Sequence, residues 1–329
     1  MRPYRKLALG ASMLALVISA CTTGGGSPTA SASADAGSSA PVESGATSDL
    51  PEITVGSDGF YESALVAEMY AQALEAQGFT VNRQLEIGTR DVRMAAFMSG
   101  EVNLVPEYIG SGVRFLAENQ DLPGEATADV EETLAALNEQ LGQLDPASVA
   151  FEASPGTDAD GFVVRQETAD ELDLATMSDL AEVAGDLTWG LPPECGDNPS
   201  CGPGLLEVYG IDITTLDVNN YEACTTPMAE ALNASEIDVA EVCTTQPDIE
   251  RFNFVLLEDD QGLAPAQNIA PITTQEVAAA GGAALEDTLN AVSAALTTEE
   301  LTSLGVLVAV DQESYEDVAA QWLADNGLV

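Results

Sequence analysis

Glu101-Val-Asn-Leu-Val-Pro-Glu-Tyr-Ile-Gly-Ser-Gly112 is the stretch whose reading decides the fold. Residues 102–105 read as a strand that stops at Pro106, because proline has no N–H to give a ladder. A glutamate, Tyr108 and a turn of small residues follow. Upstream, 91–99 reads as a short helix with Asp91 in its first turn and Gly100 after its end. Helix, small residue, Glu and strand then recur. Ser99-Gly-Glu-Val-Asn-Leu-Val-Pro106 parallels Ala234-Ser-Glu-Ile-Asp-Val-Ala-Glu241, which implies two similar lobes.

Working outward, residues 53–57, 81–87, 161–165, 187–191, 237–242 and 254–257 read as strands. Residues 62–77, 178–183 and 227–233 read as helices, and 274–329 is largely helical. In its last segment, 315–325, Val318, Ala319, Trp322 and Leu323 share one face. Strands alternating with helices imply parallel pairing and an α/β class. Such lobes leave a cleft at the carboxyl ends of their strands, where open α/β sheets bind ligands. Tyr108, just past a strand end, is placed to face that cleft; the alternative is a tyrosine packed under a loop.

Composition excludes several functions. The 329 residues are 46% apolar, enough for a substantial core, and carry 55 acids against 9 Lys plus Arg, with no His. Arg2, Arg5 and Lys6 take three of those nine, leaving six arginines and no lysine for the remainder. Nucleic-acid binding rests on Lys and Arg and is excluded; so is peripheral binding to anionic lipid. Surface adaptation to salt, which screens self-repulsion, accounts for the acidity. Without His, nucleophilic catalysis lacks its usual base, and no Gly-rich phosphate loop or cofactor motif is present, so no enzyme activity and no cofactor are expected. Asp259-Asp260 and Glu299-Glu300 read as solvated surface.

The N-terminus reads as a targeting segment. A basic start precedes an apolar run over 7–18, too short to span a bilayer. Ser-Ala-Cys21 then has the pattern of a lipoprotein signal, in which Cys21 is diacylated and becomes the new N-terminus; an ordinary signal peptide cleaved nearby is the alternative. Residues 22–50 are almost entirely Ser, Thr, Gly, Ala and Pro, a flexible tether. The chain is thus expected at the extracytoplasmic face of the membrane, anchored by lipid. The four remaining cysteines read as two disulfides. Three pairings are possible; Cys195–Cys201, which closes a short loop, with Cys224–Cys243 is favoured. No metal site is expected, with no His and no close Cys pair.

Arginine is informative because it is rare. Arg90 opens a helix in Gly88-Thr-Arg-Asp-Val92, Arg93 follows one turn later, and Arg114 comes after the Tyr108 turn. A cleft arginine is suited to hold a ligand carboxylate in a bidentate pair. The alternative is that each pairs with one of the many acids.

Residues 51–329 resemble the substrate-binding proteins of ABC importers for glycine betaine, choline and related osmoprotectants. The segment Gly100-Glu-Val-Asn-Leu-Val-Pro-Glu-Tyr-Ile-Gly-Ser111 is similar to that family's signature, Gly-Glu-hydrophobic-Asp-hydrophobic followed by Pro-Glu-Tyr-Thr-Gly-Thr/Ser. Also similar are Ile53-Thr-Val-Gly-Ser-Asp-Gly-Phe60, Leu85-Glu-Ile-Gly-Thr-Arg-Asp-Val92, Val164-Arg-Gln-Glu-Thr-Ala169, Leu256-Leu-Glu-Asp-Asp260 and Pro265-Ala-Gln-Asn-Ile-Ala-Pro271.

The resemblance implies a two-lobed periplasmic-binding-protein fold of the type II, Venus-flytrap kind, with two crossover segments. One lobe would join 51–156 to 262–329 and the other would be 160–258. It implies a monomer that captures a quaternary-ammonium or zwitterionic solute and delivers it to an ABC permease and, through it, an ATPase. A sensory or surface-binding lipoprotein on the same fold is the alternative. In the family, four aromatic rings box the ammonium by cation–π attraction, worth about 2 kcal/mol or more when desolvated. Tyr108 matches a cage tyrosine and Ser111 a hydroxyl that contacts the ligand carboxylate. The other cage positions fall at Asp160, with Phe162 two residues on, at Cys243 and at Gln267; a basic position after the first strand is Asp58. Phe60, Arg90 and Asn268 complete the expected ligand set. Phe60, Tyr61, Phe162 and Tyr221 are the rings near enough to stand in for the missing cage.

Overall fold

The computed structural model describes residues 50–222 and 224–329; the targeting segment, Cys21 and the tether up to residue 49 lie outside the described residues. The chain opens with β1 (Ile53–Gly56), α1 (Tyr61–Ala76), β2 (Val81–Gln84), α2 (Arg90–Ser99), β3 (Leu104–Tyr108), α3 (Ile109–Gln120), α4 (Val130–Leu141) and β4 (Ser148–Ala150). It continues with β5 (Asp160–Arg165), α5 (Gln166–Leu172), α6 (Met177–Val183), β6 (Thr188–Leu191), α7 (Gly202–Gly204), β7 (Asp217–Asn220), α8 (Thr226–Asn233), β8 (Val239–Cys243), α9 (Asp248–Phe252) and β9 (Phe254–Leu256). It closes with β10 (Ile269–Thr274), α10 (Gln275–Ala295), α11 (Thr298–Gly305) and α12 (Tyr315–Asp325).

These strands make two five-stranded sheets, ordered β2-β1-β3-β10-β4 and β7-β6-β8-β5-β9. The two orders match position by position. The repeated sequence unit ends in β3 and β8, which hold the same central place. The expected parallel pairing holds for β1 with β2 and β3, and for β6 with β7 and β8. It fails for β10 and β5, which run antiparallel to both of their neighbours. The reason lies in the crossovers. Each delivers its strand to the sheet at the cleft end, so Ile269 starts opposite the end of β3 at Tyr108, and Asp160 starts opposite the end of β8 at Cys243.

Pro106 does not end its strand. β3 continues to Tyr108, and Pro106 faces Pro271 across the ladder. At the next-but-one pair, the Tyr108 N–H donates to Glu107 Oε1 and the Ile269 N–H to Ser154 Oγ. That pair is therefore a non-hydrogen-bonded one, and the two prolines occupy the same kind of position. Neither ring removes a rung from the ladder between β3 and β10.

Each sheet is covered on both faces. In the first lobe α1 is buried along most of its length by Leu289, Val318, Trp322 and Leu323 from α10 and α12, and Phe97, Leu116 and Leu137 fill the opposite face. The apolar face read for 315–325 is thus a core face, and Ser314 caps that helix by accepting the Asp317 N–H. Gly100, at φ 78°, ends α2 in the left-handed region. Trp189 is the largest fully buried side chain of the second lobe, and its indole N–H donates to the Ala184 carbonyl. The disulfides are Cys195–Cys201 and Cys224–Cys243. The second ties the cleft end of β8 to the loop before α8.

The first turn of α3 locks onto the returning crossover. The Gly110 N–H donates to the Ala266 carbonyl at 3.0 Å. A Cβ on Gly110 would sit 2.5 Å from that same oxygen, backbone that cannot swing aside. Gly110→Ala is therefore expected to cost about 1–3 kcal/mol of stability by overpacking. Gly196→Ala, whose Cβ meets nothing within 4 Å, leaves stability within about 0.5 kcal/mol. Urea unfolding of the two variants checks the contrast.

Candidate functional site

The cleft end of the first sheet is set by one buried cation. Arg93, on α2, is fully buried; its Nε donates to Asp58 Oδ1 at 2.9 Å and its Nη2 to Glu107 Oε2. Arg90, one turn earlier, donates to Glu107 from Nε and Nη2 at 3.0–3.2 Å. Burial alone would raise the Glu107 carboxyl. Arg93 and Arg90 outweigh it and hold the group below the usual carboxylate range. Glu107 also accepts the Tyr108 N–H at 2.8 Å. Asp58 follows β1 and Glu107 lies on β3, so the ion pairs fasten the ends of two strands at the point where Phe60, Glu62 and Tyr108 leave them.

Phe60 and Glu62 line a cavity of about 480 Å³, and Tyr108 contacts both of them. Phe60, Tyr61 and Glu62 line it from the first lobe, Asp158 from a crossover, and Thr245, Gln246, Asp248 and Arg251 from the second lobe. The Phe60 ring stacks on the Tyr108 ring with centroids 6.1 Å apart. The Tyr108 hydroxyl donates to Glu62 Oε1 at 2.6 Å. Burial and the neighbouring Asp158 carboxylate push the Glu62 carboxyl well above its ordinary range, against the hydrogen bond from Tyr108. Thr245 opposes the shift as well, without closing a hydrogen bond on Glu62 Oε2, which has no partner. Asp158 is raised by burial too, although it accepts the Thr245 N–H at 3.4 Å. The wall is aromatic and the floor carries two carboxyls that burial keeps from ionising freely.

The structure brings only part of the expected ligand set to this cavity. Phe60 lines it, and Tyr108 stacks on Phe60. Ser111 and Gln267 meet each other nearby, the Ser111 N–H donating to Gln267 Oε1 at 3.0 Å. Four residues are committed elsewhere. Asp58 and Arg90 are held inside the first lobe by Arg93 and Glu107, which is the pairing that an acid-rich chain offers any arginine. Phe162 shares a face with Val164, so it lies in the second core, edge-on to Trp189 at 5.9 Å. Asn268 donates to the Ser154 and Pro155 carbonyls and so pins one crossover to the other. Asp160 lines a separate groove of about 1040 Å³ along the crossovers. Burial raises its carboxyl, opposed by Asn198 and Arg114. The rings and the buried carboxyls gather in the smaller cavity, and it is the better ligand site.

Sequence reasoning missed Glu62, Asp158 and Gln246. Glu62 carried a signal: it stands three, four and seven residues before Leu65, Val66 and Met69, an acid on the apolar stripe of its helix. A further buried acid is Glu241 on β8, pushed up to about 8 by burial, with Asp160 and Glu194 adding to the shift. Its Oε2 lies 3.1 Å from Cys201 Sγ. Cys195, Cys201 and Glu241 bring metal-ligating types together, but the disulfide occupies both sulfurs and leaves no thiolate to bind a cation.

The family model described as the substrate binding domain of ABC-type glycine betaine transport systems matches residues 51–325. The chain belongs to that family. Its members are substrate-binding proteins of transporters, not enzymes. Among its relatives is the glycine betaine-binding protein YehZ of Escherichia coli, 24% identical over 281 residues, covering 84% of this chain and 90% of the relative. Another is the carnitine transport binding protein OpuCC of Listeria monocytogenes, 25% identical over 281 residues, covering 83% and 86%. A solved structure of a glycine betaine/carnitine/choline ABC transporter protein superposes with a TM-score of 0.75 at 21% identity, covering 84% of this chain and 99% of that one. That likeness establishes the two-lobed binding-protein fold for this member of the family.

Two outcomes follow from the charges. Arg93→Met leaves Asp58 and Glu107 buried with one partner fewer and is expected to cost about 3–5 kcal/mol; chemical unfolding at pH 7 measures it. Glu241 has the opposite sign. An unfolded glutamate ionises near about 4.3, whereas the folded group holds its proton up to about 8. Between those values the folded state binds more protons, so the contribution of Glu241 to stability is full at low pH and lost as pH climbs toward 8. Glu241→Gln therefore raises the thermal midpoint at pH 8 relative to wild type and changes it little at pH 4.

Proposed function

We propose that this chain is an extracytoplasmic solute receptor. It captures a small solute with a cationic nitrogen between its two lobes and delivers it to a membrane permease and the ATPase behind it. The observation that carries this reading is the cavity lined by both lobes and a crossover, with Phe60, Tyr61 and Tyr108 beside Glu62 and Asp158. Aromatic faces attract a cation, and more strongly once water is excluded. Glu62 and Asp158 add Coulombic attraction to a cation. The glycine betaine and carnitine named for its relatives are cation-bearing solutes, which agrees with this cavity. Closure of the lobes about the crossovers buries the solute, and the closed form is what the permease meets. The receptor acts as a monomer held at the membrane by lipid on Cys21. Among the described residues no single helix is long and apolar enough to cross a membrane, in keeping with an anchor upstream.

Thermal unfolding of the purified chain against glycine betaine, choline, carnitine and protonated amines tests the reading. A solute at 100 times its dissociation constant adds about 2.7 kcal/mol to stability. At least one such solute is expected to raise the midpoint, and Tyr108→Ala to abolish the rise; a panel without effect counts against a cation receptor. Cys21→Ala is expected to release the chain from the membrane fraction. Retention of that variant there removes the lipid anchor.

A further inference from the structure

Two side chains that line the cavity each keep one oxygen without a partner. Glu62 is 3% exposed and Gln246 is 5% exposed. Glu62 Oε2 and Gln246 Oε1 are buried with no hydrogen bond. The rest of each side chain is committed. Glu62 Oε1 accepts the Tyr108 hydroxyl at 2.6 Å. Gln246 Nε2 donates to Asp248 Oδ2 at 2.9 Å, which fixes the amide orientation, because an amide oxygen turned toward that carboxylate would meet a second acceptor. Gln246 Oε1 is therefore a vacant acceptor, and Glu62 Oε2 becomes one when its carboxyl ionises. Buried acceptors left unpaired are costly, and native proteins rarely tolerate two in one place without a role.

The other groups around the cavity narrow the class of partner. Its acids are Glu62, Asp158 and Asp248, and the cation among its lining residues is Arg251. Arg251 donates to Asp248 Oδ1 at 3.2 Å and lies 4.7 Å over the Phe252 ring, so it is already occupied. A ligand carboxylate placed here would face Glu62 and Asp158, and the guanidinium among the lining residues already shares its charge with Asp248. A fully methylated ammonium has no N–H, and would leave both oxygens as they are.

We propose that the cavity is built for a compact cation that carries N–H donors, an ammonium or guanidinium group, received by Glu62 Oε2 and Gln246 Oε1 with Asp158 as the second counter-charge. This rests on the cavity being the solute site, as argued above. Phe60, Tyr61 and Tyr108 then flank the carbon skeleton and the charge together. Binding is linked to protons. The groups that face Glu62 are Tyr108 from β3, Tyr61 beside it on α1, Asp158 from the crossover, and Thr245 with Asp248 and Arg251 from the second lobe. In the empty protein burial and the Asp158 carboxylate keep a proton on Glu62, and burial raises the Asp158 carboxyl as well. An arriving cation favours the ionised forms, so a proton leaves as it binds and affinity increases with pH.

The test is calorimetric titration of the full chain with ethanolamine, N,N-dimethylethanolamine, choline, agmatine and glycine betaine. The first three share a skeleton and differ in N–H count. Each is run in two buffers of different ionisation enthalpy, which reports proton release. The expected result is that at least one of ethanolamine, dimethylethanolamine and agmatine binds tenfold or more tighter than choline and glycine betaine, with net proton release. Glu62→Gln, nearly the same shape, turns an amide N–H toward the cation and is expected to weaken it at least tenfold and reduce the proton release; Gln246→Met weakens it less. Choline or glycine betaine binding as tightly as the N–H cations overturns the inference and leaves the receptor reading standing. N–H cations that bind with the same affinity to both variants place their site elsewhere, which also overturns it. If none of the five binds, the inference falls together with the cation-receptor reading.

Discussion

The site depends on a single guanidinium. Arg93 is fully buried and bridges Asp58, just beyond β1, to Glu107 on β3. A charge so deep is tolerated only when paired on every side, and here each carboxylate is hydrogen-bonded as well as neutralised. That requirement fixes two strand ends and the start of α2 relative to one another. Phe60, Glu62 and Tyr108 are then placed by covalent connection to that junction and by their contacts with one another. Glu107 fills both roles at once, closing the ion pair and accepting the N–H of the tyrosine that faces the cavity. Arg93 is thus used inside, where its geometry matters, whereas Arg83, Arg114 and Arg251 lie exposed among the acids of the surface.

The cavity inverts the usual balance of such a pocket. Where rings alone surround a cation, attraction is modest and the site tolerates many methylated ligands. Here two rings of one lobe, Phe60 and Tyr61, line the cavity, Tyr108 stacks on Phe60, and two buried carboxyls supply the charge. Ionised carboxyls in that setting are costly without a cation, and burial raises both Glu62 and Asp158 above their ordinary range. Under the proposed reading the arrangement costs the empty protein stability and discriminates among cations once one is bound. Glu241 repeats the theme at the second core, a carboxyl kept neutral by its surroundings and set against a disulfide.

The alternation of strand and helix, the duplicated unit around 99–106 and 234–241 and the sharing of faces at 315–325 were legible, because burial imposes periods that sequence records directly. Pro106 misled because proline bars a ladder bond only where its strand position needs one; opposite Pro271 it does not. Parallel pairing was overextended because the direction in which a crossover re-enters a sheet is a tertiary fact. At the site, Tyr108 and Phe60 were legible from their place after strand ends. Phe162 was misplaced although its two-residue spacing from Val164 marks a common face, and both are in the core. Arg90 and Asp58 were legible as an ion-pair cluster in principle, but in a chain with 55 acids no sequence pattern says which carboxylate an arginine will find. Glu62 was hidden by the same abundance, even though it stands on an apolar stripe.

The most direct test of the account is a crystal structure of the chain grown with a cation that stabilises it. The account places the bound molecule in the cavity between the lobes, its nitrogen against Glu62 and Asp158 and its skeleton against Phe60 and Tyr108. Density for the molecule in the groove along the crossovers instead, with Glu62 and Tyr108 still bonded only to each other, would contradict it.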